Sequence, residues 1–323
     1  MKKLIILDGG MGRELKRIGA PFSQPLWSAQ ALIEAPHYVT QAHQGFIDAG
    51  AEIIIANSYA CVPFHLGETL YQQQGHALAE QAAIIAKEVV RSSKKEVLVA
   101  GSLPPAFGSY RPDLFESEQA FDILSSLFTA QDKHVDLWFA ETISSVEEAL
   151  VIVNVLKDST KPCHYAFTLS DQVEESARLR SGELLTTAIK AILQVGNVDG
   201  IFFNCSIPEV IEQAIRDTNK VLTECDINDV DHEKKTSPQN STQNNKQDSK
   251  QQISIGAFAN SFVPISTAHK ANEAVQGSRD LSPEEYLQFA KKWHSLGANI
   301  IGGCCGIGPV HIEALVDWKD SLS

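Results

Sequence analysis

Short apolar runs recur along this 323-residue chain, and stretches with helical periodicity separate most of them. Each run is rich in Ile, Val, Leu and Phe and is followed by turn residues, as in strands that are buried on both faces. The eight runs are Leu4–Asp8, Glu52–Asn57, Glu96–Gly101, Asp136–Glu141, Cys163–Leu169, Gly200–Cys205, Ile253–Ala259 and Asn299–Gly303. This repeating strand–helix order predicts parallel strands joined by crossover helices.

The helices are predicted from apolar side chains at helical spacing, and eight strands predict closure into a barrel. The predicted helices are Pro36–Ala49, Gln73–Ser92, Ser117–His134, Ser145–Leu156, Gly182–Val195, Pro208–Leu222 and Ser282–Leu296. Ser144 or Ser145, ahead of two glutamates, and Ser282 are typical helix starts, and Gly50 and Gly297 are typical helix ends. We therefore predict an α/β fold, a single (β/α)8 TIM barrel over residues 1–323. An open doubly wound sheet is the alternative, but no G-x-G-x-x-G turn follows the first strand.

One segment, residues 226–252, interrupts the strand–helix pattern. Nearly every residue in it is polar, and it has no periodic apolar face. Such a segment cannot bury enough apolar surface to offset its ordering entropy, so we predict a solvated, mobile insertion between the sixth helix and the seventh strand. Its position in the repeat predicts that it lies on the barrel face opposite the active site.

Composition narrows the classes of partner. The formal net charge is −13, which disfavours binding to nucleic acid because phosphate backbones are repelled. No apolar run approaches the roughly 20 residues that span a bilayer, so no membrane association is predicted. The apolar stretch near the N-terminus is too short for a signal peptide, and we expect a cytoplasmic protein.

The six cysteines are expected to be free thiols. The oligomeric state is not predicted.

Three of the cysteines fall at predicted strand ends, where barrel active sites lie. Cys205 ends the sixth strand, and the neighbouring pair Cys304 and Cys305 follows the eighth. Three converging thiolates suit Zn²⁺, and three protein ligands leave a fourth position for a substrate. The alternative is a tight turn of small buried residues, because free cysteine also packs as an apolar side chain. Cysteines at two separate strand ends favour the metal site.

Six segments at or near these strand ends together resemble the homocysteine S-methyltransferase family. They are DGGMGRELKRIG, ANSYACVP, FAETISSVEEA, FNCS, ANSF and GGCCGIGPVHI, in order along almost the whole chain. The resemblance implies a zinc-containing (β/α)8 barrel that methylates homocysteine, with S-methylmethionine, betaine or a methylfolate as donor. It also implies that Cys205, Cys304 and Cys305 are the zinc ligands.

The same resemblance implies that Asp8, Gly9, Gly10 and Glu141 hold the amino acid part of homocysteine. The two carboxylates would pair with its ammonium group, and backbone N–H groups from Gly9 to Met11 would bind its carboxylate. The alternatives are a helix N-cap for Asp8 and a structural salt bridge for Glu141.

A cationic methyl donor is attracted to aromatic faces. The aromatic candidates near the predicted mouth are Tyr59, Phe64, Phe107, Tyr110 and Trp138. Of these only Tyr59 is assigned to the predicted substrate site, together with Asn57 from the same strand end. The histidines lack any metal-binding spacing and are predicted to pack or to lie at the surface, with His311 a possible neighbour of the cysteine turn.

The sequence thus predicts a zinc-dependent enzyme that transfers a methyl group from a cationic donor, S-methylmethionine first, to homocysteine to give methionine. The alternatives are a relative that uses betaine or S-adenosylmethionine, and a zinc-binding barrel without turnover. A lyase or aldolase is disfavoured because no lysine lies at a strand end. The segment GSLPPAFGSYRPD after the third strand departs from the family's glycine-rich pattern, so the shape of the donor pocket is not predicted.

Overall fold

A computed structural model describes residues 3–236, 252–264, 277 and 279–322, which form a closed parallel barrel. Eight strands lie in one sheet in the order β1-β8-β7-β6-β5-β4-β3-β2. They are β1 (Ile5–Ile6), β2 (Ile53–Ile55), β3 (Leu98–Leu103), β4 (Leu137–Ile143), β5 (Cys163–Phe167), β6 (Gly200–Asn204), β7 (Ser254–Phe258) and β8 (Ile300–Ile301). A parallel bridge between Leu7 and Ile53 joins β1 to β2 and closes the ring. The predicted (β/α)8 barrel is confirmed.

Helices connect successive strands and cover the outside of the sheet. They are α1 (Met11–Arg17), α2 (Ala29–Glu34), α3 (Pro36–Asp48), α4 (Pro63–Leu66), α5 (Glu68–Ser93), α6 (Ser117–Gln131), α7 (Val146–Leu156), α8 (Leu185–Val195), α9 (Pro208–Thr236), α10 (Pro283–Ser295) and α11 (Pro309–Asp320). Ser145, one of the two predicted starts, caps α7, and Ser282 forms a capping box on α10 as predicted. The predicted stops Gly50 and Gly297 both have a positive φ. None of the described helices is long and apolar enough to cross a membrane.

The helix after β6 is longer than predicted. The predicted end was Leu222, whereas α9 runs to Thr236, so the predicted insertion at 226–252 begins inside this helix. Once a helix is nucleated, each added residue gains a hydrogen bond, and polar residues can extend it without an apolar face. Residues 237–251 of the predicted insertion lie outside the described residues.

The strands are buried on both faces, which accounts for their continuous apolar runs. In β4, Leu137 and Phe139 belong to the core inside the barrel, while Trp138 and Ala140 belong to the core between sheet and helices. The interior core consists of Leu7, Ile53, Ala100, Leu137, Phe139, Ala166, Phe202, Phe258 and Ile300. Since side chains fill the barrel, a ligand cavity can only form beyond the strand ends.

Candidate active site

The three predicted cysteines meet at the carboxyl ends of β6 and β8. Their sulfur atoms all lie within 4.8 Å of one another. The Cα atoms of Cys205 and Cys304 are 5.7 Å apart, and the structure joins their sulfurs as a disulfide, while Cys305 is a free thiol. The expectation of six free thiols is therefore corrected for this pair, because the two strand ends bring the Cα atoms within disulfide range.

The reduced cluster fits a tetrahedral metal ion. Zinc–sulfur bonds of about 2.3 Å place the ligand sulfurs about 3.8 Å apart, so the bonded sulfurs of Cys205 and Cys304 must be reduced and separate before all three can bind one ion. Burial raises the pKa of the Cys305 thiol to about 11, an effect that the positive charge of Arg13 opposes. This thiol is therefore protonated at neutral pH unless a cation displaces the proton, as metal binding does.

The turn that carries Cys304 and Cys305 is held by backbone hydrogen bonds to neighbouring strand ends. The Cys304 N–H donates to the Ala259 carbonyl over 2.8 Å, and the Ser261 N–H donates to the Cys305 carbonyl over 2.9 Å. Gly306 has a φ of +88°, and a Cβ there would overlap the Ser261 hydroxyl. The glycine is thus required for the backbone to bring both cysteines into the cluster.

Residues with a left-handed backbone concentrate around this cluster. Among the described residues, the non-glycine residues with positive φ are Trp27, Lys94, Tyr110, Thr142 and Cys205. Trp27, Tyr110 and Cys205 line the cavity above the cysteines, and the Thr142 hydroxyl accepts a hydrogen bond from the Tyr59 hydroxyl. Such conformations cost energy and are typical of functional sites, where the surrounding structure maintains them.

All ten residues of the predicted site line one cavity of about 160 Å³, room for small molecules rather than a polymer. They are Asp8, Gly9, Gly10, Met11, Asn57, Tyr59, Glu141, Cys205, Cys304 and Cys305. The Gly10 N–H already donates to the Ile307 carbonyl, so it is not available to a ligand. The Asn57 amide donates to the Ser28 carbonyl over 3.2 Å, which fixes its side chain against the neighbouring loop.

Two buried carboxyl groups face this cavity. Asp8 is 3% exposed and accepts the Ile55 N–H over 2.8 Å, and Glu141 is 8% exposed and accepts the Ser102 hydroxyl over 2.5 Å. Burial raises the pKa of both, that of Glu141 to about 7, and the Glu141 charge further raises that of Asp8. Among the described residues, no lysine, arginine or histidine side chain forms a salt bridge with either carboxyl group. Such a pair favours a cationic ligand, which would stabilise both charges.

The aromatic candidates divide into two groups. Tyr59, Phe64 and Tyr110 line the cavity, and the Tyr110 hydroxyl donates to the Cys205 carbonyl over 3.0 Å. Phe107 packs edge-on against Phe115, and Trp138 is fully buried against Phe128, so neither reaches the cavity. His311 also lies outside it and hydrogen-bonds to the Leu281 carbonyl.

Sequence reasoning missed several cavity residues, among them Arg13, Trp27, His65 and Phe262. The Arg13 guanidinium carbon lies 5.3 Å from the centre of the Phe262 ring. Trp27 and His65 belong to the connections after β1 and β2, beyond the strand ends that were searched. Sequence signals existed for Arg13 and Phe262, which lie in the family-like segments DGGMGRELKRIG and ANSF.

A family model described as homocysteine S-methyltransferase matches residues 5–318. Homocysteine S-methyltransferase 1 of Arabidopsis thaliana is 27% identical over 96% of this chain and 91% of its own length. Selenocysteine methyltransferase of Astragalus bisulcatus is 24% identical over 96% of this chain and 90% of its own. The metallated homocysteine methyltransferase MmuM of Escherichia coli has the same fold, with a TM-score of 0.72 and 22% identity over 98% of this chain and 96% of that one. Because the family model spans nearly the whole sequence, the chain belongs to the homocysteine S-methyltransferase family.

Proposed function

We propose that this protein transfers a methyl group from a cationic donor, S-methylmethionine, to the sulfur of homocysteine. The observation that carries the proposal is the presence of three cysteine sulfurs and a buried carboxyl pair in one cavity. An amino acid thiol has the matching groups, a sulfur at one end and an ammonium group at the other. The family membership supports homocysteine as this thiol.

The proposed metal is zinc, held by Cys205, Cys304 and Cys305 in their reduced state. When bound, zinc would act as a Lewis acid that lowers the pKa of the substrate thiol, so that a thiolate is available at neutral pH. The donor set of three sulfurs supports zinc, since sulfur ligands and three-coordinate protein sites with a free position are typical of catalytic zinc.

The remaining residues would orient the two substrates. Asp8 and Glu141 would pair with the homocysteine ammonium group, and the N–H groups of Gly9 and Met11 would bind its carboxylate. The faces of Tyr59 and its aromatic neighbours would attract the sulfonium centre of the donor. These contacts would place the donor methyl group in line with the nucleophilic sulfur, which is a positioning contribution to catalysis.

The reaction balances without a further reactant. A bond forms between the homocysteine sulfur and the methyl carbon, while the bond between that carbon and the sulfonium sulfur breaks. The electron pair of the broken bond stays on the donor sulfur, which becomes a neutral thioether, and the thiol proton is released to solvent. With S-methylmethionine as donor, both products are methionine. The cytoplasmic location remains a prediction from the sequence.

The test uses purified protein, reduced and loaded with zinc, with homocysteine and one donor at a time. We expect methionine to form fastest from S-methylmethionine, compared with S-adenosylmethionine and betaine, and to stop when a chelator removes the metal. Strong turnover with betaine and none with the sulfonium donors would contradict the donor assignment. Full activity of Cys304→Ala would contradict the mechanism, and no turnover with any donor would favour a zinc-binding barrel without activity.

A further inference from the structure

One imidazole faces the cavity without a role in the mechanism above. His65 lies in α4, on the connection that follows β2, and its side chain lines the cavity together with Tyr59 and Phe64. Asp8 lies two residues after β1 and Glu141 within β4, so the carboxyl pair is at the strand ends. His65 therefore belongs to the loop wall of the cavity, where a second substrate would enter beyond the first.

The hydrogen bonding of His65 fixes which ring nitrogen is free. Nδ1 lies 3.2 Å from the Pro25 carbonyl oxygen, and because a carbonyl only accepts, Nδ1 carries the hydrogen. Nε2 has no hydrogen-bond partner among the described residues. It is also not among the fully enclosed unpartnered atoms, so part of its surface is accessible. Since the residue is only 7% exposed and lines the cavity, the Nε2 edge opens into the cavity.

His65 differs from the other buried histidines in that its unpartnered nitrogen belongs to a ring that lines the cavity; His43 and His164 also have unpartnered ring nitrogens, but they lie outside the cavity. In His311, Nε2 lies 2.8 Å from the Leu281 carbonyl and Nδ1 accepts the Gly308 N–H, so both ring nitrogens have protein partners. His65 uses one nitrogen to fix the ring and leaves the other as a bare lone pair. A lone pair in a ligand cavity is an acceptor for an N–H or O–H group of the ligand.

The charge state of His65 suits a cationic ligand. Burial lowers the pKa of His65 to about 4, an effect that the hydrogen bond to Pro25 opposes. The ring is therefore neutral at physiological pH, and it does not repel a sulfonium group in the same cavity. The neighbouring ring of Phe64 meets it edge-on with centroids 5.2 Å apart, which restricts its rotation.

We propose that His65 Nε2 accepts a hydrogen bond from the α-ammonium group of the methyl donor and thereby selects sulfonium amino acids over donors without an N–H group. This inference rests on the proposed function and adds a specificity residue to it. The Asp8–Glu141 pair serves the homocysteine ammonium, so the two amino groups have separate partners. Betaine, which has no N–H, gains nothing from His65.

The test compares S-methylmethionine with its deamino analogue, dimethylsulfoniobutanoate, which differs only in lacking the amino group. The measured quantity is the ratio of kcat/KM for the two donors at saturating homocysteine. In His65→Phe we expect this ratio to fall by about tenfold or more, the size of effect that follows the loss of a hydrogen bond to a charged group. His65→Gln, whose amide oxygen is also an acceptor, should retain part of the preference. The exposed His76→Gln is the matched control and should keep the wild-type ratio.

An unchanged ratio in folded His65→Phe would overturn the inference and leave the proposed function intact. Equal use of both donors by the wild-type protein would also overturn it, and this measurement does not depend on a variant that folds. Failure of the wild-type protein to form methionine from homocysteine with either donor would instead overturn the proposed function, and the inference with it.

Discussion

The carboxyl pair makes a quantitative prediction about ligand affinity and pH. Glu141 is 8% exposed and already accepts one hydrogen bond from Ser102, so its remaining lone pairs can accept hydrogen bonds from an ammonium group. Hydrogen bonds to charged groups contribute about 1.5–3 kcal/mol. Glu141→Gln should therefore weaken binding of an amino acid ligand by about 10- to 150-fold, at roughly 1.4 kcal/mol per factor of ten.

The same group predicts how affinity depends on pH. Burial raises the pKa of Glu141 to about 7, so in the free protein it is largely protonated at lower pH and must lose that proton to bind an ammonium group. Affinity should rise with pH, by about tenfold from about pH 6 to about pH 8, because the ionised fraction changes by that factor. The raised pKa of Asp8 acts in the same direction. In Glu141→Gln the part of the pH dependence that arises from Glu141 should disappear.

The assay is isothermal titration of the zinc-loaded protein with methionine, which has the ammonium and carboxylate groups of homocysteine but no titrating thiol. Glu148→Gln is the matched control. Glu148 is also buried with a pKa raised to about 7, but it accepts hydrogen bonds from Ser144 and does not line the cavity. Glu148→Gln should keep the pH dependence. A wild-type affinity that is constant across this pH range, or a Glu141→Gln affinity within twofold of wild type, would refute the reasoning.

Three shorter predictions concern the turn, the strand ends and the donor site. Gly306→Ala should lower the free energy of unfolding by about 1–3 kcal/mol in urea denaturation, because φ is +88° and the Cβ meets Ser261; an unchanged midpoint would contradict the role given to this glycine. Tyr286→Phe should lower the free energy of unfolding by about 1–3 kcal/mol, because the hydroxyl accepts the Ala259 N–H and donates to the Gly302 carbonyl next to the cysteines. A variant as stable as wild type would show these bonds to be dispensable. If the ring face of Tyr59 attracts the cation, Tyr59→Leu should raise the KM of a sulfonium donor by about 2- to 30-fold, and Tyr59→Phe should raise it by less. Equal effects of the two changes would count against that attraction.

The fold and the strand-end residues could be predicted because they leave regular signals. Parallel strands buried on both faces give continuous apolar runs, and the barrel places every strand end at one mouth. Asp8, Glu141 and the three cysteines all follow such runs, so their convergence follows from topology alone. The cap at Ser282 was equally visible, and the start of α7 was visible to within one residue, since cap chemistry is local in sequence.

The rest of the cavity wall could not be predicted because it comes from irregular loops. Trp27 and His65 reach the cavity through the path of the connections after β1 and β2, and no periodicity encodes that path. Helix α9 was predicted too short because its extension is polar, and the apolar pattern used to detect helices ends before the helix does. The contact between the sulfurs of Cys205 and Cys304 depends on distances across the barrel mouth, which spacing in sequence does not give.

The central claim is that three cysteine sulfurs bind one zinc ion and leave a position for the substrate thiol. X-ray absorption at the zinc edge of the reduced, zinc-loaded protein measures this directly. We predict three sulfur neighbours at about 2.3 Å in the resting protein and four after homocysteine is added. Fewer than three sulfurs, or no additional sulfur with homocysteine bound, would contradict the claim.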